Sequence, residues 1–151
     1  MEFKNEIGLI QRRMASSIAG TSRRLEILNA LNIQSGQHVL DIGCGGGHLL
    51  EEIAKAVGPE GKAYGLDTSE DQLKQARKRC SSYENVLTIK GYANQVDLEN
   101  HSCDAICSVQ TFEYIDNVDD SIKELTRLLK PSSIFVNISI LWEYYKFFGA
   151  D

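Results

Sequence analysis

Val39-Leu40-Asp41-Ile42-Gly43-Cys44-Gly45-Gly46-Gly47 is the stretch that decides how this chain is read. A short apolar run that begins at His38 breaks abruptly into glycines, the pattern of a buried strand that stops and turns. A tight strand-to-helix turn is the plain structural reading. Four glycines in the five residues 43–47 exceed what such a turn requires. Glycine alone supplies positive φ at little cost and leaves no Cβ in the way of a ligand approaching the backbone. A helix N-terminus directly behind the loop offers free N–H groups and the positive end of a dipole to an anionic group.

Outward from the loop, strands and helices alternate. Leu49, Leu50, Ile53, Ala54 and Val57 form one helical face, closed by Gly58-Pro59. Lys62 to Leu66 reads as a second strand ending at Asp67, and Thr68-Ser69 followed by Asp71 and Gln72 as a capping box. The helix it opens carries Leu73, Ala76 and Cys80 inward. Val86 to Ile89 is a third strand and Asp104 to Val109 a fourth. Ile122, Leu125, Leu128 and Leu129 line a helix before Pro131, and Ile134 to Leu141 is a fifth strand. Ahead of the loop, residues 1–35 predict two helices: Leu9, Ile10, Met14 and Ile18 in one, Leu25, Ile27, Leu28 and Leu31 in the other. The break falls at Gly20-Thr21-Ser22, with Thr21 or Ser22 as the second N-cap. The expectation is a doubly wound, mostly parallel α/β sheet of five recognisable strands, in the order 3-2-1-4-5, in a single domain over 1–151.

Composition agrees with an ordinary globular domain. At 151 residues the chain can bury a sizeable core without disulfide or metal staples. A net charge of −5 offers no electrostatic footprint for a nucleic acid. No apolar run approaches the roughly 20 residues of a membrane helix, and the first residues lack the apolar stretch of a secretory signal. Cys44, Cys80, Cys103 and Cys107 stand in segments that read as buried, which suits reduced thiols in the cytoplasm. Cys103 and Cys107 lie on one strand, roughly 13 Å apart, too far for a disulfide or shared metal. No metal cluster is expected.

The spacing narrows the ligand. A dinucleotide fingerprint needs a third glycine at position 48, where His48 stands. A Walker loop needs Gly-Lys-Ser/Thr after its glycines, and this chain has none there. Asp67 instead stands twenty residues beyond Gly47, at a strand end, where a carboxylate can accept both hydroxyl hydrogens of a ribose.

These residues resemble the class I S-adenosylmethionine-dependent methyltransferases, in particular the small-molecule type grouped with the ubiquinone/menaquinone and sterol methyltransferases. The resemblance runs from about Arg24 to Ile140 and rests on VLDIGCGGG (39–47), GLDTSEDQL (65–73), the Asp104-Ala105-Ile106 strand with its turn, and ELTRLLKP (124–131). It implies a Rossmann-like fold and S-adenosylmethionine as cofactor. It also implies that Gly43, Cys44, Gly45 and Gly47 bend around the methionine and ribose parts, with Asp67 and the neighbouring Thr68 at the ribose. Asp41 would position the methionine amino end, Gln110 would lie beside the methionine, and Ala93 and Asn94 would meet the adenine. Two positions depart from the family: Gly91-Tyr92-Ala93 replaces Gly-Asp-Ala, so Tyr92 stands for the acid that reads adenine, and Ser132-Ser133 replaces Gly-Gly.

Other signals are weaker. Gln110-Thr111-Phe112-Glu113-Tyr114 comes after the fourth strand, at the edge where such sheets bind ligands. Phe112 and Tyr114 are candidates to wall a methyl-transfer site, and Glu113, His48 and His101 are candidate bases. None is assigned a catalytic role. Arg12-Arg13 and Arg23-Arg24 give a basic helix face, read first as solvated and second as a contact for an anionic substrate or the cofactor carboxylate. The family's fold continues with a helix and sixth and seventh strands, which are missing here. The fifth strand is therefore expected at an open edge, favouring self-association. The expected function is methyl transfer to a small-molecule or lipid-like acceptor. The alternative is a truncated or inactive cofactor-binding module without turnover. Nucleobase amine methylation is disfavoured by SVQTFEY in place of an Asn/Asp-Pro-Pro-aromatic tetrad.

Overall fold

The computed structural model describes Arg13 and residues 16–139. Its five strands are β1 (His38–Ile42), β2 (Lys62–Asp67), β3 (Val86–Lys90), β4 (Cys103–Val109) and β5 (Leu129–Ile138). They pair in parallel in the order β3-β2-β1-β4-β5, the expected doubly wound arrangement. Among the described residues they are accompanied by the α-helices α1 (Ile18–Leu31), α2 (His48–Val57), α3 (Glu70–Arg79) and α4 (Val118–Leu128).

Central β1 is covered on both faces, and its alternation sorts the core into two layers. Val39 packs with Ile27, Leu50, Ile53 and Ala105 under α1 to α3. Leu40 and Ile42 pack with Leu66, Ile106, Leu125 and Leu128 under α4. Asp41 breaks the apolar sequence of β1. It sits between Gly65 of β2 and Cys107 of β4 and is 2% exposed. A carboxylate at the centre of a sheet has no packing rationale and points to the strand's ligand-binding end.

Two boundaries differ from expectation. Gly20-Thr21-Ser22 is no break. It lies inside α1, whose N-cap is Ser17, with Oγ accepting from the Gly20 N–H at 3.2 Å. Gly20 is buried and Ile18 is 92% exposed, so the helix turns its small residue inward. Leu25 is also exposed, while Ile27 and Leu31 face the core as expected. β5 begins at Leu129, earlier than Ile134, because a register shift opposite Cys103–Ala105 absorbs Pro131 and a left-handed Ser132 (φ 67°). An outermost strand tolerates such a bulge, since its free edge has no ladder to lose. The expected first helix around Leu9, Ile10 and Met14, and the strand end at Ile140 and Leu141, lie outside the described residues.

Candidate functional site

At the carboxyl ends of the strands a cavity of about 580 Å³ opens between the β1, β2 and β4 turns, the start of α1 and the loop after β3. Its floor is the glycine turn. The N–H groups of Gly43 and Cys44 both donate to the Leu66 carbonyl, at 2.8 and 3.0 Å, so the turn is stitched to the end of β2. Asp67 completes the stitch. Its Oδ2 accepts from the Gly45 N–H at 2.9 Å, and its Oδ1 accepts from the Ser69 N–H at 2.8 Å. Ser69 caps α3, its Oγ accepting from the Gln72 N–H. The second arm of the expected capping box is thus supplied by Asp67, not by a residue of the helix.

Those bonds, with the Thr68 N–H as a further backbone donor, orient the Asp67 carboxylate, which lines the cavity. Burial pushes its pKa up, opposed by the backbone donors. Gly45 adopts φ +51°, and a Cβ built there meets nothing within 4 Å, so that space belongs to the cavity. Gly47 serves differently. It caps α2 at φ +81°, and a Cβ on it would come within 2.8 Å of the Ala76 Cα. Close packing of α2 on α3, rather than cavity lining, requires that glycine.

Asp41 lies at the cavity's inner wall. Its Oδ2 has no hydrogen-bond partner among the described residues, and its Oδ1 has the Cys107 thiol at 3.8 Å. Desolvation, reinforced by the charge of Asp67, raises its pKa from 3.8 to about 7. A buried carboxylate with an unsatisfied oxygen in a ligand-sized cavity is poised for a cationic or hydrogen-donating group. Burial also pushes the Cys44 and Cys107 thiols up, which disfavours their thiolate forms.

Of the predicted site residues, the cavity is lined by Asp41, Gly43, Cys44, Gly45, Asp67, Thr68, Ala93, Asn94 and Gln110. Gln110 takes a left-handed turn (φ 53°), anchored by its N–H on the Ile138 carbonyl at 2.6 Å. Tyr114 reaches the lining, but Phe112 does not: it packs on Phe135 with ring centroids 5.2 Å apart. His48 lies at the rim, its pKa lowered first by burial and then by Arg79 and Arg24. His101 is at the other end of the sheet, with its Nδ1 2.8 Å from the Leu129 carbonyl.

Two groups line the cavity beyond the predicted site residues. Arg23 and Arg24, read first as a solvated face and second as a contact for an anionic group, lie in the lining. Arg23 donates to the Gln110 Oε1 at 2.9 Å, and Arg24 pairs with Glu52 at 3.0 Å. Ile115 to Asn117, between β4 and α4, close another side, and no motif marks them. Among the described residues no group of three or more acidic, His or Cys side chains could hold a metal.

A family profile described as a methyltransferase domain matches residues 33–144, most of the chain and nearly all of this site. The chain belongs to the methyltransferase domain family. The groups of its cavity fit S-adenosylmethionine: a carboxylate at Asp67 oriented by backbone donors, a glycine turn with open space and a buried Asp41 oxygen without a partner among the described residues. The chain is 34% identical over 115 residues to the demethylmenaquinone methyltransferase of Geobacillus stearothermophilus, covering 75% of this chain and 49% of that protein. For the same enzyme of Staphylococcus aureus (strain Newman) the figures are 30% over 113 residues, 75% and 47%. The chain thus spans about half the length of these curated relatives. In structure, the domain is similar to a SAM-dependent methyltransferase from Aquifex aeolicus, with TM-score 0.74, 26% identity, 84% of this chain and 68% of that one. It shares its fold with geranyl diphosphate C-methyltransferase from Streptomyces coelicolor A3(2) at TM-score 0.73 and 16% identity, over 79% of this chain and 46% of that one. Among the described residues no helix is long and apolar enough to cross a membrane.

Proposed function

We propose that this domain binds S-adenosylmethionine in the cavity at the strand ends and transfers its methyl group to a small or lipid-like acceptor by in-line displacement. The observation that carries the reading is Asp67, held by the Gly45 and Ser69 N–H groups and lining the cavity. In this reading Asp67 accepts the ribose hydroxyls, Thr68 flanks it, and Gly43 to Gly45 give the ligand backbone to lie against. Asp41 faces the cationic methionine end, Gln110 borders it, and Ala93 and Asn94 flank the base. The bound cofactor supplies a methyl group already activated on a cationic sulfur. The residues around it therefore have to position the acceptor and exclude water more than supply acid or base. Tyr114, Ile115 and the rim of α1 wall the side from which an acceptor enters.

Calorimetry tests the assignment. S-adenosylhomocysteine is expected to bind and NAD not to bind, since His48 occupies the place of the third dinucleotide glycine. Asp67→Ala is expected to weaken binding by about 1.5–3 kcal/mol, the range for hydrogen bonds to a charged group. A folded variant of unchanged affinity would leave Asp67 as a cap and remove the ribose assignment. NAD binding without adenosylhomocysteine binding would remove the whole reading.

We further propose one domain over 1–151 in a cytoplasmic setting, supported by four free, buried cysteines. We also propose self-association through β5, the outermost strand of the sheet, which exposes 41% of Ile134. Sedimentation equilibrium should show a dimer weakened by Ile134→Lys, and a monomer at all concentrations would refute it.

A further inference from the structure

ELTRLLKP takes no part in the cavity, yet two of its side chains hold the loop that does. The segment from Gly91 to Ser102 connects β3 to β4 with little ladder of its own: the Tyr92–Gln95 bridge and the Gly91 N–H on the Asp67 carbonyl. Its backbone is bound from α4. Glu124 Oε1 accepts the Val96 N–H at 2.7 Å, while Arg127 Nη2 donates to the Val96 carbonyl at 3.0 Å. Arg127 Nη1 donates to the Leu98 carbonyl and to Asn100 Oδ1, both at 2.8 Å. The two side chains lock each other: Arg127 Nε lies 2.8 Å from Glu124 Oε2, and Nη2 lies 2.7 Å from Oε1. The bond from Arg127 holds the Glu124 carboxyl below its usual range. An ordinary i,i+3 ion pair on a helix face ends in water. Here the pair turns its further hydrogen bonds onto one loop, and the planar Arg fork is what allows two carbonyls to be held at once.

We infer that Glu124 and Arg127 are positioning residues for the base-binding loop: they set the place of Tyr92, Ala93 and Asn94 in the cavity without touching the ligand themselves. The inference rests on the proposed cofactor reading, in which that loop flanks the adenine. Val96 carries the coupling. It is buried beside Ala93, Leu66 and Leu125, so a clamp on its backbone fixes the wall on which Ala93 sits.

Competition calorimetry with S-adenosylhomocysteine and S-ribosylhomocysteine, which is the same ligand without adenine, separates positioning from general stability. Arg127→Ala and Glu124→Ala are each expected to lose about tenfold in affinity for the adenine-bearing ligand, the scale of coupling carried through a packed wall. Affinity for the ribosyl ligand should stay within about twofold, and the double variant should be no worse than either single one, as for two groups acting as a unit. Arg127→Lys keeps the charge and the stem but not the fork, and should show the same ligand-selective loss if the alanine variant does not fold. Equal losses for both ligands, additive losses, or none would overturn the inference. Ala93→Leu distinguishes its failure from that of the underlying reading. If Ala93→Leu leaves adenosylhomocysteine binding intact, the loop is not the base site and the inference falls with it. If Ala93→Leu loses binding while the α4 variants do not, only the clamp is wrong.

Discussion

Gly45→Val is expected to lower S-adenosylhomocysteine affinity by about a hundredfold or more, roughly 2.7 kcal/mol, in a protein that still folds. Two separate costs combine. The backbone at Gly45 sits at φ +51°, a left-handed conformation that costs a non-glycine residue roughly 1–3 kcal/mol and a β-branched one most. That cost falls on stability. A Cβ there meets no protein atom within 4 Å and points into the open cavity, so the side chain's cost is expected to fall on affinity. Moving the Gly45 N–H also disturbs the bond that orients Asp67. Gly45→Ala should divide the two: most of the backbone strain, part of the obstruction. Gly47→Ala provides the contrast, because its Cβ would strike Ala76 of α3 and its damage should appear in the melting temperature first. Calorimetric binding paired with thermal melts checks all three. Full affinity in a folded Gly45→Val protein would show that the glycine turn does not carry the ligand.

Asp41→Asn should do the opposite to stability and still impair binding. In the folded protein burial lifts the Asp41 carboxyl to about 7 from 3.8. Between those values the native state holds a proton that the unfolded chain releases, so stability is lost as pH rises through this window and the full cost is present above it. The shift corresponds to at most about 4 kcal/mol, since each pKa unit is about 1.4 kcal/mol. Asparagine does not titrate. The variant should melt near wild type at about pH 4 and roughly 5 to 10 °C higher at about pH 8, given a few degrees per kcal/mol for a domain of this size. Its affinity for S-adenosylmethionine should fall, by about tenfold or more, because the partner of a cationic ligand end has become neutral. A residue that costs the apo fold stability yet stands at the centre of a sheet marks a binding function. A variant that is less stable at the higher pH, or binds as tightly as wild type, would contradict this account of Asp41.

The strand order and the five strands were legible because each signal was local. The apolar run before Gly43 and the face of Leu49, Leu50 and Ile53 carry their periods within a few residues. Asp67 was legible as the acid beside the glycine turn from its distance along the chain, since a helix of fixed rise must fit between them. Gly20 misled for a related reason. Glycine usually signals a break, but here the helix needs a residue without a side chain beside the cavity, and that demand is not local. Pro131 misled likewise: proline usually marks a break before a strand, but here the edge strand starts at Leu129 and takes the proline into a register shift opposite Cys103–Ala105.

Residue order alone was enough for the parallel α/β frame, the glycine turn and the acid that answers it, because alternation and turn chemistry act between near neighbours. Which glycine faces the cavity and which faces a helix came from the packed fold, since Gly45 and Gly47 are alike in sequence and differ in what a Cβ would meet. The packed fold likewise assigned Arg23 to the cavity, and Glu124 and Arg127 to the loop after β3. Arg23 meets Gln110 across 87 positions and Glu124 meets Val96 across 28. Contacts of that separation leave no periodic trace in the chain, because they are set by how its elements pack and not by the order of residues within any one of them.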